Sequence, residues 1–210
     1  MEAERNTDFD RYKSIAAVST GIYKDNGSRF LAYAFPVETE EEAKERIFSL
    51  KKEYFDARHH CYAYRLGYDG AEWRANDDGE PSSTAGRPIF GQILSNNLSD
   101  ILIVVVRYFG GIKLGVPGLI KAYKSAAADA IANSTIVEKV AKRPFRLQFE
   151  YLQMDRIMKL LKQMQITPGN RSYGNDCLME ISVPLSAAQR LTEALEKIEG
   201  TKISDICQKV

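Results

Sequence analysis

Asp77, Asp78 and Glu80 crowd into the segment 77–88, DDGEPSSTAGRP, which also holds Gly79 and Pro81 and then Ser82, Ser83 and Thr84. Carboxylates this close repel one another unless a cation, a basic side chain or solvent offsets them. Two of them could bind Mg2+ or share the roles of acid and base. The same composition also makes a solvated turn, shaped by Gly79 and Pro81, with Ser82, Ser83 or Thr84 capping the next helix. A second segment, 107–118, reads RYFGGIKLGVPG. Arg107, Lys113, Lys121 and Lys124 follow one another with no acidic residue between them. Gly110 and Gly111 let backbone N–H groups approach a ligand. The loop runs into the start of a helix, where anions are favoured. Phosphate, free or in a nucleic-acid backbone, suits such a loop. Neither GxxxxGK[ST] nor GxGxxG is present, so no nucleotide fingerprint applies. A tight strand-to-helix connection with incidental lysines is the alternative.

His59, His60 and Cys61 are consecutive. In a strand, neighbours point to opposite faces, so the three cannot grip one metal. One histidine could serve as a base beside the acidic loop; a partly buried, hydrogen-bonded histidine is the alternative. No Ser-His-Asp order and no GxSxG elbow appears. Tyr62, Tyr64, Tyr108 and Tyr123 could stack on bases or simply pack in a sheet.

Periodicity picks out the elements that must position these segments. Residues 14–20 and 28–37 read as strands around KDNGS, where Asn26-Gly27 marks a hairpin. Thr39 and Glu42 form a capping-box pattern, and Ala43, Ile47, Leu50 and Tyr54 predict a helix over 39–55. Residues 60–66 read as a strand and 67–70 as a turn. Trp73 begins a short strand leading into the acidic loop. A helix over 85–96 follows, with Pro88 in its first turn. The β-branched run 101–109 marks a strand covered on both faces. Residues 110–118 form the glycine-rich loop, and an alanine-rich helix spans 119–133.

Near residue 142 the pattern resets. Phe145, Leu147, Phe149 and Tyr151 alternate as a strand, and Met154, Ile157, Met158, Leu161 and Met164 line a helix. Residues 167–170 break it, and strands follow at 171–173 and 178–184. Ser186 and Gln189 suggest a second capping box; Leu191, Leu195 and Ile198 line the last helix, which Gly200 ends. Ile203 and Ile206 sit in a final strand. This β-α-β-β-α-β order is the split βαβ, ferredoxin-like plan. The expectation is an α+β protein of two domains, 1–142 and 143–210.

The totals narrow the function. Lysine and arginine number 29 against 28 acidic residues, a net charge of +1, so any nucleic-acid partner must meet a local patch. Three scattered cysteines, Cys61, Cys177 and Cys207, give neither a disulfide framework nor a zinc ribbon. A reducing compartment follows. The N-terminal segment lacks an apolar core of a secretory signal, and the longest apolar run, 101–106, is far short of a membrane span. The chain is expected to be cytoplasmic and monomeric, with no membrane association, no cofactor and no metal.

HHCYAYRL, DDGEPSSTAGRPI, VVVRYFGGIKLG and PGLIKAY, in this order and at these intervals, resemble the Impact family. The two-domain length is similar to its bacterial YigZ-type members. The resemblance implies an N-terminal domain like domain IV of elongation factor G, of left-handed βαβ type, and a ferredoxin-like C-terminal domain like that factor's domain V. Its motif residues fall on Asp77, Asp78, Gly79, Glu80, Pro81, Thr84, Ala85 and Gly86, and on Arg107, Tyr108, Phe109, Gly110, Gly111, Lys113, Leu114 and Gly115. Two departures are visible. Ser83 stands where many members carry glycine, and Val116-Pro117 makes the loop stiffer. Eukaryotic members regulate translation under amino-acid stress by competing for an activator of the general-control kinase. Bacteria lack that pathway, so only a link to translation or RNA carries over.

The two loops are expected side by side, with Arg107 or Lys113 offsetting the carboxylates and Thr84 and Gly86 shaping the turn. The favoured reading is a non-catalytic, translation-associated regulator that binds RNA, the ribosome or a translation factor. Its expected binding residues are Asp77, Asp78, Gly79, Glu80, Thr84, Gly86, Arg107, Tyr108, Gly110, Gly111, Lys113, Gly115 and Lys121. The alternatives are an enzyme acting on a small anionic or phosphorylated substrate at the same loops, and a protein-docking module.

Overall fold

A strand with no polar residue among its first six positions organises the larger part of the protein. In the computed structural model, which describes residues 7–173 and 176–206, this strand spans Ile101–Tyr108 and is buried from Ile101 to Arg107. Numbered along the chain, the strands before it are β1 (Arg11–Ile15), β2 (Ser19–Asp25), β3 (Ser28–Pro36), β4 (His59–Leu66) and β5 (Glu72–Asn76), which makes it β6. They alternate with helices α1 (Glu40–Glu53), α2 (Gly86–Ser95) and α3 (Gly115–Ala132). A five-stranded sheet runs β2-β3-β6-β4-β5. Each neighbouring pair is antiparallel. β3 and β4 both oppose β6 and so run parallel to each other, joined by α1.

Helices cover both faces of β6, as its unbroken apolar run requires. Ile101, Ile103 and Val105 pack with residues of α2 and α3, whereas Leu102 and Val104 pack with Ala43, Ile47 and Leu50 of α1. α3 approaches the sheet through Ala122, Ala126, Ala127 and Ala130, all fully buried. The small side chains allow close contact, and at Gly21 of β2 contact is complete. A Cβ there would stand 2.3 Å from the Ala130 nitrogen and 2.9 Å from the Ala126 oxygen.

The chain divides into two compact units, one spanning Tyr12–Lys139. The other contains Val140 onward together with the described residues up to Arg11. Asp10 ties that short segment in: its carbonyl accepts the Ala141 N–H at 2.7 Å and its carboxylate the Ser186 N–H at 3.0 Å. A domain division at 142 does not capture this return of the N-terminal segment. The second unit contains β8 (Lys142–Phe149), α4 (Met154–Gln163), β9 (Pro168–Tyr173), β10 (Cys177–Pro184), α5 (Leu185–Leu195) and β11 (Thr201–Asp205). Its sheet runs β11-β8-β10-β9, the ferredoxin-like order. Phe145, Leu147, Phe149, Ile157, Leu161, Met179 and Leu191 belong to its core. Cys207 lies outside the described residues.

Several local expectations need correction. The stretch 14–20 is not one strand: β1 ends at Ile15 and pairs with β7 (Ile136–Val140), while β2 starts at Ser19. Thr39 does accept the Glu42 N–H at 3.2 Å, but Glu42 reaches past it to the Glu38 N–H at 2.7 Å. The second capping box does not form; α5 has no cap from its own sequence, and Asp10 takes the Ser186 N–H instead. Pro168 begins β9 rather than breaking the chain before it, as an edge strand permits. Among the described residues, no helix is long and apolar enough to cross a membrane.

Gly21→Ala should displace α3 or the edge strand and cost about 2 kcal/mol or more in a urea unfolding titration, the scale of overpacking against backbone.

Candidate functional site

The β4–β5 hairpin delivers the acidic loop, and each carboxylate is taken up by a different partner. Asp77 caps α2 from a distance. Its Oδ1 accepts the N–H groups of Ala85 at 3.0 Å and Gly86 at 2.8 Å, and its Oδ2 accepts that of Ser83 at 2.8 Å. These are donors that a helix start leaves free, and a negative charge there also meets the positive end of the helix dipole. Ser82, Ser83 and Thr84 therefore do not cap α2. The Thr84 hydroxyl donates to the Pro81 carbonyl at 2.6 Å. Gly86 is required by proximity, since a Cβ would lie 2.6 Å from the Asn76 nitrogen.

Asp78 turns the other way. Its carboxylate accepts the His60 N–H at 2.7 Å and pairs with the Lys51 ammonium at 2.9 Å. Its carbonyl accepts the His59 Nδ1–H at 2.8 Å. Burial alone would push the Asp78 carboxyl up, but the His60 N–H and Lys51 overcome it and hold it below the usual range. His60 is 5% exposed and donates from Nε2 to the Tyr54 carbonyl at 3.2 Å. Burial lowers its pKa and keeps it neutral, despite Asp78 nearby.

Glu80 makes the link to the second segment. Its Oε1 stands 2.6 Å from Arg107 Nη1, and both side chains are nearly buried, 4% and 8% exposed. The Tyr123 hydroxyl donates to the same oxygen at 2.7 Å. Arg107 lies against two rings, 5.5 Å from the centre of Phe30 and 5.6 Å from that of Phe109. Among the described residues its Nε has no hydrogen-bond partner. Behind Tyr123, the buried Cys61 thiol donates to the Asp77 carbonyl at 3.0 Å and lies 3.3 Å from the Tyr123 hydroxyl. Burial pushes both the thiol and the phenol up, so both stay protonated. A protonated, buried thiol is not a nucleophile. Tyr123 is fully buried and cannot stack on a base. Tyr62 and Tyr64 stack on each other, centroids 6.5 Å apart.

The loop beyond Arg107 is shorter than its glycines suggest. α3 begins at Gly115, with Val116 and Pro117 in its first turn, where proline loses no hydrogen bond. Pro117 therefore stiffens the helix start, not the loop. The Gly110 N–H is not free for a ligand: it donates to Ser28 Oγ at 3.1 Å. A Cβ on Gly110 would meet Gly27 of the β2–β3 turn at 2.0 Å. Gly111, at φ +90, faces open space. Phe109 and Ile112 are 51% and 58% exposed, and Lys113, Lys121 and Lys124 are exposed beside them in sequence. Tyr108 donates to Asp56 at 2.7 Å, with Arg29 over its ring.

The structure thus brings Asp77, Asp78, Gly79, Glu80, Thr84 and Gly86 together with Arg107, while Lys113 and Lys121 point into solvent. Among the described residues, no group of three His, Cys, Asp or Glu side chains could hold a metal. Sequence reasoning missed Lys51 and the role of Tyr123. Nothing local marks either, because their partners lie 27 and 43 residues away.

Three outcomes follow from this packing. Glu80→Gln strands the Arg107 charge and should cost about 3 kcal/mol or more in chemical unfolding, and Glu80→Gln with Arg107→Met should recover most of it. Ser83 sits at φ +63, in the left-handed region that favours glycine. Ser83→Gly should raise stability by about 0.5–1 kcal/mol, the strain relieved less the entropy that glycine adds to the unfolded chain. On acidification the urea midpoint should fall in two stages. The His60 value is 6.5 unfolded and lower folded, so the unfolded chain binds the extra proton and stability drops below pH 6.5. The Asp78 value is depressed below 3.8, so its contribution is whole above that pH and lost as pH falls through the folded value. His60→Gln should remove the upper stage and Asp78→Asn the lower.

Residues 26–131 match the Impact N-terminal domain. The chain is similar to IMPACT family member YvyE of Bacillus subtilis, 35% identical over 85% of this chain and 82% of that protein. It is similar to IMPACT family member YigZ of Escherichia coli at 35% identity, over 86% of this chain and 89% of that protein. A crystal structure described only as that of a hypothetical protein aligns with a TM-score of 0.72 at 31% identity, covering 95% of this chain and 99% of the other. With the domain match spanning both loops of the site, and two bacterial relatives aligned through most of their length, the chain belongs to the IMPACT family.

Proposed function

We propose that the protein is a non-catalytic, translation-associated regulator that binds RNA through the loop between β6 and α3 and the exposed lysines of α3 that follow it. The observation that carries this reading is the exposed run of Phe109, Ile112, Lys113, Lys121 and Lys124, with no acidic residue among them. Lysines attract the phosphate backbone, and an exposed aromatic ring offers a face for a base. The neighbouring acids do not cancel this charge at the loop, because Asp77 and Glu80 are engaged inside the protein. The translation link rests on what the Impact resemblance implies, including the elongation factor G domains to which that resemblance likens the two domains. Two observations weigh against the enzyme reading. Its carboxylates have separate partners, and the nearby thiol and phenol stay protonated.

Binding to single-stranded RNA, measured by fluorescence anisotropy from low to moderate salt, should weaken steeply as salt rises. Lys113→Glu with Lys121→Glu should lower affinity at least about tenfold and reduce the magnitude of the salt slope by about 1.4, two phosphate contacts at 0.7 each. RNA left unbound at low salt would overturn the reading. If instead a translation factor co-purifies and is lost in the same variant, the loop is a protein-docking surface.

A further inference from the structure

The two edges of the five-stranded sheet are treated differently. At β2, α3 reaches over the rim: Asp129 Oδ2 accepts the Ile22 N–H at 2.8 Å and Asn133 Nδ2 donates to the Thr20 carbonyl at 2.9 Å. An open strand edge is a template for another strand, and these two bonds close it. β5 has no such cover. Among the described residues, Glu72, Trp73, Arg74 and Ala75 make no backbone hydrogen bond beyond the ladder with β4. Glu72, Trp73 and Arg74 are all exposed. Trp73 is the only tryptophan of the sequence. It stacks on Phe90 of α2 at 4.6 Å, with the Arg87 guanidinium 5.1 Å from its ring centre, yet remains 46% exposed.

We propose that β5 is a homodimer interface, pairing antiparallel with β5 of a second copy across a two-fold axis at Trp73. The charge order commits the edge to its own copy. In an isologous pair each residue meets the one equally far on the other side of the axis. Centred on Trp73, Glu72 of each copy stands opposite Arg74 of the other, twice over. Trp73 faces Trp73, and Ala71 faces Ala75. A shift of one residue either way sets both charges against apolar neighbours. Alternation along the strand puts the charged pairs on the face shared with α1 and the tryptophans on the face of α2. Arg74 already leans toward Glu40 at 3.6 Å, an exposed contact. A guanidinium has donors enough for both carboxylates. The result is a continuous ten-stranded antiparallel sheet whose outer edges are the two covered β2 strands.

The test is sedimentation equilibrium of the full chain over a concentration series, with tryptophan emission recorded on the same samples. The wild type should pass from monomer to dimer with rising concentration, and Trp73 emission should shift to the blue. Glu72→Arg and Arg74→Glu each place like charges opposite one another and should weaken the dimer about tenfold or more. An equimolar mixture of these two variants should associate again, because one strand is then basic and the other acidic. A wild type that stays monomeric at about 100 µM, well above a Kd of functional interest, overturns the proposal. So does a dimer that both variants leave intact, or a mixture that fails to associate. Circular dichroism of each variant confirms that the changes at these exposed positions leave the fold in place.

Discussion

The ion pair between Glu80 and Arg107 sets the geometry on which the rest depends. Both groups are nearly removed from water, 4% and 8% exposed. Either alone would be a buried, uncompensated charge, which costs about 3–5 kcal/mol, a large share of an ordinary protein's stability. Each charge therefore depends on the other. It draws the acidic loop onto the end of β6, and the Tyr123 hydroxyl on the same oxygen draws in α3. Well-packed apolar residues could replace such a pair at little cost in stability. What the pair supplies here is position. It fixes where the chain leaves the sheet, so Phe109 and the residues after it must emerge at the surface.

An active site keeps some polar groups poised for a substrate. The acidic loop keeps few. Asp77 is spent on the α2 start, Asp78 on Lys51 and the β4 backbone, and Glu80 on Arg107 and Tyr123. The backbone accepts strain to reach this state, with Asp78 at φ +41 and Ser83 at φ +63. Asp tolerates the left-handed region better than most residues, because its short side chain can bond locally. Within the fold the acidic loop acts as a brace. The cations and apolar groups beyond Arg107 are left exposed to solvent.

How much of this could be read from sequence divides along the range of the interactions. β6, the α1 repeat and the order of the C-terminal elements were legible because periodicity is written in neighbouring residues. The family resemblance also set Arg107 or Lys113 beside the acids, and of the two it is Arg107 that meets Glu80. What failed was non-local or competitive. Ser and Thr beside α2 look like caps, but Asp77 reaches the same N–H groups with two oxygens and a full charge, and it wins. Asp10 likewise takes the place of Ser186 at α5. Gly110 looked like a door for a ligand, yet the β2–β3 turn occupies it. Pro117 looked like part of a loop because proline usually marks one. In the first turn of a helix it is harmless, and four residues changed class.

α3 shows how one helix can carry several demands without conflict. Gly21 and the alanines fix its distance from the sheet, closer than any larger side chain would permit. That closeness lets the Asp129 and Asn133 side chains reach the edge of β2. It also lets Tyr123 reach Glu80 from the same buried face. Helical spacing then leaves no choice for Lys121 and Lys124. With residues 122, 123, 126, 127 and 130 turned inward, both lysines must face water. The basic surface of the helix is thus a consequence of its alanine face. A substitution that lifts α3 off β2 would loosen the edge cover and the tyrosine bond together, before it touched any lysine.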